Sequence, residues 1–291
     1  MGKLYIRPSQ VVKQDECPWA MYLQYIAGIK SQASSANLVF GTIVHEAVTK
    51  YLAAKCAGIN FDPAKHFLFK WQEATETLEI AYNATFGPED LKATGEKLCG
   101  DFPADWDRSG FVPLIDDEGP VLERKLQVEV LSGVILTGTP DLVAMNGNGE
   151  VAVLDFKTPA SPSPEEFFLI ADQLTCYQIL VEAQKVKFGI EQVDHLGYVE
   201  LLKKKIPKTS RGEGPKMQPP AYGPRRSDQA INAFIQKLGW MAEDIHRGRF
   251  PKRPRMAYNT PCSLCDFQGL CLKGDSEGLV IPQGCTLSLA A

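Results

Sequence analysis

The chain has 291 residues, 44% of them hydrophobic and 23% charged, with a formal net charge of −4. That composition suits one large globular domain or a core with an attached subdomain. The slight acidity excludes a whole-molecule polyanion binder, so any nucleic-acid contact must come from a local basic patch. No apolar run is long enough to span a bilayer. The opening Met1-Gly2-Lys3-Leu4-Tyr5-Ile6-Arg7-Pro8 is too short and polar for a signal peptide. The expectation is therefore a cytoplasmic protein without a membrane partner.

In chain order, residues 9–28 read as a capped helical region, with Cys17-Pro18-Trp19 near its middle or at a break. Residues 36–55 carry Leu38, Val39, Ile43, Val44, Ala47, Val48, Tyr51 and Leu52 at helical spacing. Two further helices are expected at 63–82 and 88–98, completing a helical part over 9–110. A catalytic core over 120–248 follows. Residues 121–130 and 134–145 have the β-branched content of strands, and Val151-Ala152-Val153-Leu154 reads as a buried strand. Between them Asn146-Gly147-Asn148-Gly149 is a hairpin turn. A helix over 164–187, a strand near 195–202, a flexible basic loop over 203–226 and an amphipathic helix over 228–247 complete the core. A cysteine segment at 260–271 then precedes a poorly ordered tail, 274–291. No G-x-x-x-x-G-K-[S/T] phosphate loop occurs, so a fused ATP-driven motor is not indicated.

The chemistry concentrates around Gly138-Thr139-Pro140-Asp141 and Asp155-Phe156-Lys157. Asp155 and Lys157 are two apart on a strand, so their side chains leave one face and Phe156 leaves the other. If Gly147-Asn148-Gly149 forms a three-residue turn, Asn146 faces Glu150, and counting back along both strands puts Asp141 opposite Asp155. Two adjacent carboxylates suit a hard divalent cation such as Mg²⁺ or Mn²⁺. Such a cation activates water and stabilises charge on a phosphodiester, while Lys157 can hold the attacking water or neutralise developing charge. A lone D-x-K would read as a surface salt bridge. Here it is accompanied upstream by Gly41 and His45 on one helix, and downstream by Gln173 and Tyr177, which share a helix face.

Taken together, Gly41/His45, Pro140-Asp141, Asp155/Lys157 and Gln173/Tyr177 resemble the RecB-like branch of the PD-(D/E)XK nucleases, whose ordered pattern is G-x-x-x-H, P-D, D/E-x-K and Q-x-x-x-Y. The resemblance implies an α/β restriction-endonuclease-like core, a small mixed sheet flanked by helices. It also implies a metal site of His45, Asp141, Asp155 and the Phe156 carbonyl, with Lys157 catalytic and Gln173 and Tyr177 in support. Asp155 stands where many relatives carry Glu.

Eight cysteines are present, and a cytosolic chain of this size does not need disulfides. Cys262-Ser263-Leu264-Cys265 with Cys271 just beyond has the spacing of thiolates that bind zinc or an iron–sulfur cluster, and Cys17 can supply a fourth ligand. The arrangement also resembles the iron–sulfur subgroup of the same nucleases, which includes AddB and the CRISPR-adaptation exonucleases. That resemblance implies a [4Fe–4S] cluster on Cys17, Cys262, Cys265 and Cys271, in a C-terminal subdomain joined to the N-terminal helical part. The remaining Cys56, Cys99, Cys176 and Cys285 read as ordinary buried or free thiols.

For a DNA path, Lys203, Lys204, Lys205, Arg225 and Arg226 could follow a phosphate backbone. Tyr222, or Trp19 and Tyr22, could stack on bases. A solvated loop is the competing reading of the basic run. The expectation is a single nuclease domain, 1–273, that hydrolyses DNA as an exonuclease on single strands or duplex ends. It would act in the cytoplasm of a bacterium, an archaeon or a phage-infected host, in recombination, repair, phage DNA processing or CRISPR adaptation, with a recombination or CRISPR-adaptation protein as a candidate partner. The rival is a catalytically silent DNA-end-binding or complex-assembly module of the same fold.

Overall fold

The structure is a computed structural model that describes residues 2–164, 166–209, 211–253 and 261–285. Its principal elements in chain order are β1 (Leu4–Ile6), α1 (Pro8–Glu16), α2 (Pro18–Met21), α3 (Ala36–Cys56), α4 (Pro63–Thr77), α5 (Pro88–Ser109) and β2 (Val112–Pro113). Next come β3 (Leu126–Leu131), β4 (Val134–Gly138), β5 (Leu142–Met145), β6 (Val151–Lys157), α6 (Asp172–Glu182), α7 (Lys185–Phe188) and β7 (His195–Leu202). The series ends with β8 (Lys216–Met217), β9 (Ala221–Pro224), α8 (Asp228–His246) and α9 (Gln268–Lys273). The chain divides into two compact units. One holds 1–33, 129–137 and 228–291, and the other holds 34–128 and 138–227.

The second unit is a mixed sheet in the order β8-β7-β6-β5-β2, with β9 also paired to β7. β6 runs parallel to β7 and antiparallel to β5. The β5–β6 register places Leu142 opposite Leu154 and Val143 opposite Val153, the pairing expected from a three-residue turn. Asn146 sets that turn: its Oδ1 accepts from the Asn148 and Glu150 amides, both at 3.0 Å, and its Nδ2 donates to Glu150 Oε2 at 2.7 Å. Gly149 closes it at φ +80°, where a Cβ would be strained. Val151 to Leu154 are buried, as a central strand covered on both faces requires. α3, α4 and α5 pack their apolar stripes on the sheet through Phe40, Val44, Phe67, Leu98, Phe102 and Trp106.

Several boundaries differ from expectation for identifiable reasons. The strand expected over 134–145 is two strands, β4 and β5, interrupted at Pro140, which has no N–H for a ladder. α5 runs on past residue 98 to Ser109 and through Pro103, because Phe102 and Trp106 keep its buried stripe continuous. The helix expected from 164 begins only at Asp172, after a 3₁₀ turn at Phe167–Leu169. The run 203–226 is not a free loop, since β8 and β9 within it both extend the sheet along β7.

In the first unit, β1 lies parallel to β4, with Leu4 opposite Val134, and β3 flanks β4. Ala20, Leu23, Ile29, Phe267 and Leu270 form a small buried cluster that joins the N-terminal and C-terminal segments. Leu279–Val280 pairs antiparallel with Lys30–Ser31. The start of the expected tail is thus held in a ladder, and its end, 286–291, lies outside the described residues, as does residue 260 of the expected cysteine segment.

Candidate active site

The β5–β6 hairpin and α3 bring the acidic residues and the histidine to one cleft. Asp141 precedes β5, and its Oδ2 accepts from the Phe156 amide at 2.8 Å, which pins it across the hairpin. Asp155 and Lys157 leave the same face of β6. Phe156 leaves the other, where its ring meets Phe102 and Trp106 with centroids 6.1 and 6.4 Å away. α3 approaches closely at Gly41, where a Cβ would stand 3.0 Å from Thr158 Oγ1. One turn on, His45 Nε2 lies 2.7 Å from Asp141 Oδ2. The cleft has a volume of about 380 Å³, and its walls include His45, Asp141, Asp155, Phe156, Lys157 and Gln173. Tyr177 stands behind Gln173, one helical turn along α6.

The polar contacts form a chain. Lys157 Nζ lies 2.6 Å from Asp155 Oδ2 and donates to Gln173 Oε1 at 2.9 Å. Gln173 Nε2 donates to Asp155 Oδ1 at 2.9 Å and to Tyr177 Oη at 3.0 Å. Asp155 is 1% exposed. Its burial, and then the charge of Asp141, push its pKa well above the usual carboxylate range, with Lys157 opposing. Its Oδ2 receives no well-directed hydrogen bond, and the Lys157 ammonium is its close neighbour. Burial alone would lower the His45 pKa, but the Asp141 and Glu123 carboxylates outweigh it and hold it at about 10.

Glu123 is a member of the site that sequence reasoning missed. Its Oε1 lies 2.9 Å from His45 Nδ1. Its backbone is held beside the hairpin by a hydrogen bond from its amide to the Asp141 carbonyl, at 3.0 Å. Its φ is +46°, an uncommon value for a residue with a side chain. Leu122-Glu123-Arg124-Lys125 reads as an ordinary charged surface stretch, so only the bridge that lays this segment against β5 reveals the role.

Among the described residues no three or more His, Cys, Asp or Glu side chains are set, as they stand, to hold a metal ion. At the cleft the reason is visible. His45 closes on Asp141 and Lys157 closes on Asp155, so opposite charges neutralise one another. The donor set nevertheless fits a hard cation: two carboxylates and an imidazole, one carboxylate being buried with an oxygen that receives no directed hydrogen bond.

The basic run divides by burial. Lys203 is 6% exposed and Arg226 9%, so neither is a surface cation. Arg226 donates through Nε to Thr175 Oγ1 at 3.2 Å and through Nη2 to the Phe168 carbonyl. Lys204 pairs with Glu213, Lys205 with Asp90 at 2.8 Å, and Arg225 with Glu182 at 3.2 Å. Tyr222 is exposed, but its ring sits edge-on to Phe111 and His195. Lys204, Lys205 and Arg225 are the less buried members of the run.

In the first unit, Cys17, Cys262, Cys265 and Cys271 line one cavity of about 370 Å³. Cys17 sits in extended backbone between α1 and α2. Burial pushes the Cys265 and Cys271 thiols up, with Lys13 and Lys252 respectively opposing it. Trp19 stacks on Tyr22 with centroids 5.1 Å apart, and Lys252 lies over Trp19. Of the other cysteines, Cys99 and Cys176 are buried and Cys56 and Cys285 are half-buried.

A family model described as the PD-(D/E)XK nuclease superfamily matches residues 6–272. The solved structure titled "Crystal structure of SSO0001" is similar over 92% of this chain and 85% of that chain, at 15% identity and a TM-score of 0.34. No curated protein matches the chain. No helix among the described residues is long and apolar enough to cross a membrane.

Proposed function

Because the chain belongs to the PD-(D/E)XK nuclease superfamily, and is thereby a nuclease acting on DNA, we propose that it is an exonuclease on single-stranded DNA or duplex ends whose active site is the cleft of His45, Asp141, Asp155 and Lys157. The observation that carries the reading is the buried Asp155 carboxylate set beside Asp141, with its Oδ2 facing the Lys157 ammonium. His45, Asp141, Asp155 and the Phe156 carbonyl would hold Mg²⁺ or Mn²⁺. A cation there supplies a more acidic water and neutralises charge on the phosphate.

The chain's own groups do the rest. Glu123 accepts the Nδ1 proton of His45 and so leaves Nε2 for the cation, the usual division of labour for a ligating imidazole. With a cation taking up the charge of Asp155, the Lys157 ammonium turns to the attacking water or to a phosphate oxygen. Gln173 holds Lys157 and Asp155 in one geometry, and Tyr177 fixes the Gln173 amide.

We further propose a [4Fe–4S] cluster on Cys17, Cys262, Cys265 and Cys271. Four cysteines lining one cavity support it. The cytoplasm and the DNA-processing systems in which such exonucleases act complete the proposal.

The test is cleavage of end-labelled single-stranded and blunt duplex DNA with Mg²⁺ or Mn²⁺. Stepwise loss of nucleotides from an end is expected, abolished by EDTA. Lys157→Ala should reduce the rate by about 10²–10³-fold, the scale of losing one transition-state donor, while calorimetry shows Mn²⁺ still bound. DNA binding without any cleavage would instead favour a silent end-binding module.

A further inference from the structure

Lys203 is a buried cation with no carboxylate beside it. It is 6% exposed and forms no ion pair among the described residues. Its ammonium lies over the rings of Phe40 and Phe86, with Nζ 5.8 and 5.4 Å from their centroids. Desolvation holds its pKa below the ordinary lysine value. Burying an ammonium this way is costly unless its hydrogen bonds do something. The hydrogen bond it makes to another side chain runs to Asn37 Oδ1.

Asn37 is exposed, sits in the first turn of α3 and lines the same cleft as Asp155 and Lys157. An ammonium donates and never accepts, so its contact fixes which end of the Asn37 amide is oxygen. The Nδ2 group is then turned away from Lys203, with both N–H donors unused among the described residues. First-turn amides of α3 add positive potential at the same place.

We propose that Asn37 is a substrate-binding residue of the cleft, presented by Lys203 so that its amide N–H groups meet a phosphate oxygen of the bound DNA strand. The proposal rests on the nuclease reading. It makes Lys203 a positioning residue, acting through Asn37 and touching no phosphate.

The experiment measures binding of a fluorescent single-stranded oligonucleotide to Lys157→Ala protein, and kcat and KM in the active protein. Asn37→Ala should weaken binding and raise KM by about 10-fold, the scale of a hydrogen bond to a charged group, with kcat little changed. Asn37→Asp should be worse, because it pairs with Lys203 and offers the phosphate only oxygen. Lys203→Met keeps the apolar stem against Phe40 and Phe86. It should match Asn37→Ala in affinity, and the double variant should be no weaker than either single one. The slope of affinity against salt should stay at the parent's value in Lys203→Met. A slope reduced by about 0.7 would show that Lys203 itself binds a phosphate, and would overturn the positioning role. Parental affinity and KM in both Asn37 variants would overturn the proposal while the parent still cleaves DNA. A parent that neither binds nor cleaves DNA would sink the nuclease reading instead. Asn37→Asp alters an exposed side chain, so the test stands even if Lys203→Met fails to fold.

Discussion

Asp155 and Asp141 crowd two carboxylates into a site where one of them is almost wholly buried. Such a pair is costly until something positive enters, and His45 and Lys157 fill that role in the protein alone. On the proposed reading, a bound cation would compete with two internal ion pairs, and His45 would give up its extra proton. Glu123 is placed to govern that exchange. It lies 2.9 Å from His45 Nδ1 and keeps that nitrogen protonated while Nε2 is released. Glu123→Gln retains the shape and one acceptor but loses the charge that raises ligand basicity. Mn²⁺ affinity measured by calorimetry should fall by about 10–100-fold, the usual cost of removing an outer partner of a ligating histidine. The melting temperature should change little, because Glu123 is exposed in large part. Unchanged affinity would show that His45 is not a ligand or needs no orienting partner.

The β5–β6 hairpin carries most of the site's precision. Slipping its register by one residue would turn Asp155 and Lys157 into the core and Phe156 out. Asn146 guards against that with three hydrogen bonds at the turn. Asn146→Ala should cost about 1–3 kcal/mol, at roughly 1 kcal/mol per bond, read as a lower denaturation midpoint. A cost near zero would mean that the apolar ladder of Leu142, Val143, Leu154 and Val153 sets the register unaided. This hairpin was legible from the sequence because its signals are local: a Gly-rich turn, an apolar run and a Pro that stops the strand. The same holds for α3, whose apolar spacing and boundary match expectation. Lys203 and Arg226 were not legible, since a stretch of cations reads as solvated unless one knows that β7 ends among aromatic rings and that β9 returns beside it. Glu123 was hidden likewise, its role arising from a backbone bridge to a segment that follows it in the chain. The late start of α6 was missed because the apolar Phe167, Phe168 and Leu169 suggest helix, yet they form a 3₁₀ turn.

At the scale of the molecule, one unit gathers both ends of the chain. Its N-terminal helices meet the cysteine segment through Ala20, Leu23, Ile29, Phe267 and Leu270, and through one two-residue ladder. Four thiolates bound to one cluster would staple the two segments, since the bonds exist only when Cys17 and the segment from Cys262 to Cys271 meet, and they close a loop of nearly the whole chain. Anaerobically purified protein should be brown and hold about four irons per chain with matching sulfide. Cys17→Ala should lose most of that iron, lower the melting temperature and expose α1 and α2 to limited proteolysis. Cys285→Ala, at a cysteine outside the cavity, should keep its iron and its melting temperature. Zinc without iron or sulfide in anaerobic protein would replace the cluster with a zinc site, and full iron retention in Cys17→Ala would place the fourth ligand elsewhere.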